Sequence, residues 1–352
     1  MKAATKNLLA CSLFLCFVLV PPAIAVPITL TQISTGFNSP IGIDYYEPTN
    51  EVVVSVNYSA GGVPHNFDLI HNDGTHTQFS SVAGLTNEVK IATVRSGNPG
   101  GFTTGDLFVG NGVDGQITRL TNGGATVINP WVSLPGAGNG LIRGSLHVDR
   151  TGVWGGDLIV VTTGGEVWRI NSAGVPTFVA DVNTHLEGLS TVPNDPAKYG
   201  ILAGKIIAGA EGQGRLYYFD TSGSWSFMNP GVNIEDIDLI PANENFFGVN
   251  FGTNTILGAT PLDFSTMVDD ILLTQESHTG SGLFRFYWDG LLFQTEAITL
   301  TAGSAFAGQW EHVTFAPAGI VEIPPTVPEP ATLALLGAGL AGLGFSRRKK
   351  RA

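Results

Sequence analysis

Glu187-Gly188-Leu189-Ser190-Thr191-Val192-Pro193 decides the fold, because its outline returns as Glu235-Asp236-Ile237-Asp238-Leu239-Ile240-Pro241 and as Glu311-His312-Val313-Thr314-Phe315-Ala316-Pro317. Each copy is a glutamate, a short strand-forming run, and a proline at the sixth position after the glutamate. Weaker copies are Pro40-Ile41-Gly42-Ile43-Asp44, Glu88-Val89-Lys90-Ile91-Ala92-Thr93-Val94 and Arg143-Gly144-Ser145-Leu146-His147-Val148-Asp149. The copies start 48, 55, 44, 48 and 76 residues apart. Three of these intervals fall within the roughly 40–50 residues of a propeller blade, and 55 is only slightly longer.

Behind several copies lies a hairpin with a glycine-rich turn. Residues 104–110 with 116–120, 155–161 with 166–170, and 203–208 with 215–219 form three parallel pairs. The first strand of each pair is largely apolar, as a strand covered on both faces must be. With 46 glycines, no helical periodicity in the central part and short β-branched runs between turn signals, the chain reads as all-β. A six-bladed β-propeller is expected, with seven blades, or five blades and a small β-sandwich at 257–323, as alternatives. The long last interval predicts an insertion around 262–279 or an extra hairpin at 284–295. Too little chain follows Glu311 for a whole blade, so residues 28–33 are expected to supply its outer strand and close the ring.

Lysine plus arginine number 17 against 29 aspartate plus glutamate, a net charge of −12. The ends hold seven of the basic residues and one acidic residue, Glu329, so the central part keeps 10 basic against 28 acidic residues, a balance of −18. Such a surface repels phosphate backbones and anionic lipid, which sets nucleic acid aside and favours cations and neutral polymers. Both cysteines, Cys11 and Cys16, lie near the N-terminus, leaving no thiol or disulfide chemistry for the central part.

Lys2 and Lys6, the apolar residues 8–20 and Ala23-Ile24-Ala25 read as a secretory signal peptide over residues 1–25. At the other end come Pro328-Glu329-Pro330, an apolar stretch over 331–345, and the basic Arg347-Arg348-Lys349-Lys350-Arg351. A helix over that stretch would reach about 22 Å, short of the roughly 30 Å hydrocarbon core, so the transmembrane helix is a marginal anchor. Its basic end would stay cytoplasmic. This order resembles the PEP-CTERM sorting signal of exopolysaccharide-producing bacteria, with an ordinary tail anchor as the alternative. The resemblance implies an exosortase-type partner cutting near Pro-Glu-Pro, an inner-membrane intermediate held through residues 331–345, and release to the cell surface or extracellular matrix. The expected domains are 1–25 signal peptide, 26–323 propeller and 324–352 sorting signal.

In a propeller, residues at the start of each inner strand cluster around the axis. Glu88, Glu187, Glu235 and Glu311 are therefore expected at one mouth, with Arg143 at a fifth station. Such carboxylates raise one another's proton affinity unless a cation neutralises them, and oxygen-only ligands suit Ca2+ or Mg2+. The alternative is a solvated acidic rim, or pairing with Arg143. The repeats resemble the NHL and gluconolactonase-like six-bladed propellers over residues 28–323. That resemblance implies an axial divalent cation, with Glu187-Gly188 matching the family's Glu-Gly pair and Asp236 a further ligand; its Asn ligands have no clear counterpart.

His185 and His312 flank the expected axis and are weak candidates for a general base. His65, His71 and His76 sit in a turn-rich loop with Asn72-Asp73-Gly74 and read as hairpin chemistry before metal binding. Trp131, Trp154, Trp168, Trp225, Trp288 and Trp310 read as blade packing before a sugar-stacking face. No G-x-S-x-G, H-E-x-x-H, P-loop or EF-hand pattern occurs. The expected function is an exported surface protein whose propeller binds polysaccharide or an envelope partner. The alternative is a divalent-metal-dependent hydrolase, lactonase or lyase at the central channel, so the question of catalysis stays open at this level.

Overall fold

Runs with no polar face, such as Val52-Val53-Val54 and Leu158-Ile159-Val160-Val161, are stable as strands only where both faces are covered. The computed structural model, which describes residues 27–58, 63–85, 87–136, 140–143 and 146–323, covers them by arranging six four-stranded antiparallel sheets as blades around one axis. The inner strands are Ile43–Tyr46, Ala92–Thr93, Leu146–Val148, Glu187–Thr191, Ile237–Leu239 and Trp310–Pro317. They neighbour one another in that order, and the last returns to the first. Every repeat copy thus overlaps one inner strand, and the six-bladed expectation holds over its alternatives.

The second strands Leu107–Gly110, Leu158–Val161 and Ile206–Ala210 are buried throughout, while the outer strands Thr126–Ser133 and Trp225–Met228 are largely exposed. The core lies between blades. Val54, Phe247, Ile256 and Ala316 join the first blade to the last, and Trp154, Ile159, Ala208 and Phe219 join the third to the fourth. Trp310 is wholly buried, its ring edge-on to Phe246 and its indole N–H donating to the Ser281 carbonyl at 2.7 Å. Truncating it to alanine would cost about 3–5 kcal/mol.

The long last interval has a different origin from the one expected. After Ile237–Leu239 the chain leaves the fifth blade and lays down the hairpin Glu244–Asn250 and Thr255–Ala259 in the sixth. It then returns with Ile271–Thr274, Leu283–Trp288 and Phe293–Ala297 to complete the fifth blade. Residues 262–279 are therefore the return path plus a regular strand, and the hairpin at 284–295 is the ordinary outer half of blade five. The exchanged element is the earlier hairpin, which looks like any other blade hairpin in hydrophobic pattern.

Closure follows the expectation, shifted by a few residues. Thr31–Thr35 pairs antiparallel with Thr255–Ala259 as the outermost strand of the sixth blade, and Ile28 bridges to Leu300. The two ends of the domain thus share one blade, which joins the ring without leaving it open. The expected signal peptide (1–25), the Pro328-Glu329-Pro330 motif, the apolar stretch 331–345 and the basic end 347–351 lie outside the described residues. Among the described residues no helix is long and apolar enough to cross a membrane.

Candidate functional site

Each copy begins where the chain turns from an outer strand onto the axis, so the side chains there gather at one mouth. Glu88 and Arg143 form a two-pronged pair, Nε to Oε2 at 2.5 Å and Nη2 to Oε1 at 2.6 Å. The same Arg143 Nε lies 3.9 Å from Glu187 Oε1. Lys90, 1% exposed, extends to Glu235, with Nζ 2.5 Å from Oε1 and 3.2 Å from the backbone carbonyl. The four glutamates therefore share the mouth with two cations. Glu88 is taken by Arg143, Glu235 by Lys90.

Glu187 is set by a bulge. The register slips between Glu187 and Leu189, and Gly188 at φ +57° sits so close to the next blade that a Cβ there would lie 2.7 Å from the Asp236 Cα. No other residue type fits both the conformation and the space. The bulge leaves Glu187 Oε1 buried without a well-formed hydrogen bond, although His185 Nε2 is 2.9 Å away. Glu187, Glu211 and Glu235 each bring a carboxylate oxygen within 4.8 Å of the others. Glu211 enters from the turn after Ile206–Ala210, where nothing in the repeat marks it. That oxygen-only trio is a donor set a hard divalent cation could take, in competition with Lys90.

Burial dominates the electrostatics. It would strip the proton from Lys90, yet Glu235, Glu187, Asp236 and Glu311 overcome it and hold the ammonium well above the ordinary lysine range. Burial pushes Glu311 up to about 8, with Lys90 opposing and Glu88, Glu276 and Glu187 adding to the rise. Burial likewise takes Asp236 to about 7 against Lys90 and the Val313 N–H, which donates to it at 2.8 Å. Burial also opposes ionisation of Glu187, but His185, Lys90 and Arg143 outweigh it and hold that carboxyl below its usual range. The mouth thus places protonated and ionised carboxyls side by side.

Below it the channel narrows to a cavity of about 30 Å³ whose lining includes Asp44, His147, Arg150, Asp238 and His312. The two imidazoles are depressed to about 3, chiefly by burial, so both are neutral. His312 Nδ1 accepts from the Ile43 N–H at 3.0 Å, a packing role that leaves little for proton transfer. His185 stands partly exposed at the glutamate mouth. His65 and His76 both hold Asp68, at 2.7 and 2.9 Å, and His71 pairs with Glu51, so the histidine-rich hairpin is tied internally. Trp154, Trp168 and Trp310 are core residues, while Trp225 is 45% exposed on the outer strand of blade four.

Lys90 was not among the residues the repeat singled out, although as the one charge in Val89-Lys90-Ile91-Ala92 it carried a signal, since a lysine in a buried run needs a carboxylate partner. Only knowledge of the neighbouring blade identifies that partner as Glu235.

Residues 326–349 match the PEP-CTERM protein-sorting motif. The tail marks the chain for export and for an exosortase-type processing enzyme. No curated protein matches the chain. Among solved structures it is similar to a chain of a nidogen/laminin complex, at 10% identity and TM-score 0.51, covering 79% of this chain and 84% of that one. It is also similar to a candidate gluconolactonase at 12% identity and TM-score 0.48, covering 81% and 84%. A catalytically inactive virginiamycin B lyase from Staphylococcus aureus, solved with quinupristin, stands at 11% identity and TM-score 0.48, covering 84% and 90%. At such identities likeness speaks to the fold alone.

Proposed function

We propose that this chain is an exported cell-surface protein whose propeller is a binding module for polysaccharide of the surface or matrix, delivered by exosortase-type processing of its tail. The observation that carries the reading is the sorting motif at 326–349 placed directly behind a closed propeller. The internal neutralisation of the glutamate mouth supports it: Lys90 and Arg143 occupy carboxylates that a catalytic metal would need free. Cell fractionation with intact-mass analysis tests the delivery. Surface material should have lost the basic end, and deleting residues 347–351 should disturb retention and processing. Recovery of a tail ending at Ala352 in the matrix fraction would sink the idea.

A second reading, a divalent-metal-dependent hydrolase, lactonase or lyase, is favoured by one observation: the donor-poor Glu187 oxygen beside Glu211 and Glu235. Ca2+ or Mg2+ held by these three would act as a Lewis acid toward a substrate oxygen. His185 is positioned there to accept a proton, with Glu187 as its orienting partner. Calcium titration, treated below, separates a structural or catalytic ion from general charge screening.

A further inference from the structure

At the far ends of the inner strands, opposite the glutamates, a cavity of about 230 Å³ opens between the prolines that end two repeat copies, Pro193 and Pro241. We infer that this pocket binds one neutral sugar ring, as a free monosaccharide or as the end of a polysaccharide chain. The inference rests on the binding-module reading above and gives it a site.

Two polar groups face the cavity with capacity to spare, and a third lies buried in its wall. Arg150 makes one loose contact among the described residues, Nη2 to Asp44 Oδ1 at 3.5 Å, so most of its five N–H donors are uncommitted. Asp238 takes its own Leu239 N–H on Oδ1 at 2.8 Å, leaving its second oxygen to accept elsewhere. Ser190, 0% exposed as a residue, holds its hydroxyl buried with no partner. An unsatisfied buried hydroxyl is unfavourable, and a ligand hydroxyl reaching it would satisfy it. A donor fork, a free carboxylate oxygen and a hydroxyl around one cavity match a polyol, since each sugar hydroxyl can both donate and accept.

Charge decides between a neutral sugar and an acidic one. Arg95 is held by Glu244 at 3.1 Å and by the Phe315 carbonyl, and Arg150 leans on Asp44. With Asp238 added, three carboxylates stand against two guanidiniums, so a further anion would be repelled. Pro193, Leu239 and Pro241 give the cavity an apolar wall for the C–H face of a sugar ring. The volume suits a single ring.

Titration of the exported protein with glucose, galactose, mannose and rhamnose, followed by ligand-observed NMR, tests the site, with glucuronate as the anionic comparison. A neutral sugar should bind with a Kd near a millimolar, the range expected for about 12 ligand heavy atoms at ordinary efficiency. Asp238→Asn and Ser190→Val should each weaken binding by about tenfold while thermal unfolding shows the fold retained. Leu262→Ala, at an 80% exposed position outside the cavity lining, should leave it unchanged. No binding by any neutral sugar, stronger binding by glucuronate, or equal binding in both folded pocket variants would overturn the assignment. Polymer binding that survives both variants would refute this pocket and leave the binding-module reading standing; loss of polymer binding in the wild type would refute that reading itself.

Discussion

Replacing Lys90 with methionine keeps an unbranched side chain of similar length and removes the one ammonium among Glu235, Glu187, Glu311 and Asp236. In the native state Lys90 Nζ is 2.5 Å from Glu235, and the two side chains are 1% and 4% exposed, so neither charge has water to fall back on. Removing one partner of a buried pair costs about 3–5 kcal/mol, because the other charge is left uncompensated. At roughly 2 °C per kcal/mol for a domain of this size, Tm should fall by about 6–10 °C at pH 8. The loss should shrink at pH 5, where Glu311 and Asp236, raised to about 8 and about 7, are protonated and need less positive charge. Calorimetry of Lys90→Met and of Lys90→Met/Glu235→Leu at both pH values is the assay, and the double variant should recover most of the loss. A fall below about 2 °C at pH 8 in the single variant, or no recovery in the double, would refute the idea that this pair neutralises the mouth.

Above about pH 7 the raised carboxyls also fix the sign of the pH dependence. Their folded pKa values exceed the ordinary 4.5 and 3.8, so the stabilisation they contribute is full below those values and lost as pH climbs to about 8. The buried neutral His147 and His312 pull the other way below about pH 7, so urea midpoints should fall between pH 7 and 8, and Glu311→Gln should flatten that decline; a flat wild-type profile over this range would count against it. If Glu187, Glu211 and Glu235 hold a cation, calcium should raise the wild-type Tm by mass action, and Glu187→Gln should remove most of the gain; equal shifts in both proteins would indicate screening alone. Trimming the N-terminus through Thr35 removes the outer strand that pairs with Thr255–Ala259 and exposes an edge, so the truncated protein should aggregate. A soluble truncation with a cooperative transition would argue against closure by that strand.

The six inner strands were legible because each copy carries its own local signal, a strand-forming run with a polar start in five copies and a closing proline in three. Pro193, Pro241 and Pro317 mark strand ends in the structure as they do in the repeat. The exchange of hairpins between blades five and six was not legible, since Phe246-Phe247-Gly248-Val249 would be equally at home in either blade, and only long-range pairing chooses. Glu88, Glu187, Glu235 and Glu311 were brought to one mouth by the same periodicity. Their partners were hidden for a physical reason: Lys90 reaches from the second blade to the fifth, and Glu211 rises from a hairpin turn, so neither contact has a sequence spacing to betray it. Arg150 and Asp238 escaped notice because they lie at the downstream end of the strands, where the repeat shows proline and nothing charged in common.

Size-exclusion chromatography of the exported protein mixed with the exopolysaccharide of its own host, read by absorbance for protein and refractive index for polymer, bears most directly on whether the propeller binds without cutting. A binding module predicts protein eluting with the high-mass polymer and a polymer profile unchanged after prolonged incubation with calcium present. Protein eluting alone at monomer size, or a polymer profile sliding to lower mass, would contradict it.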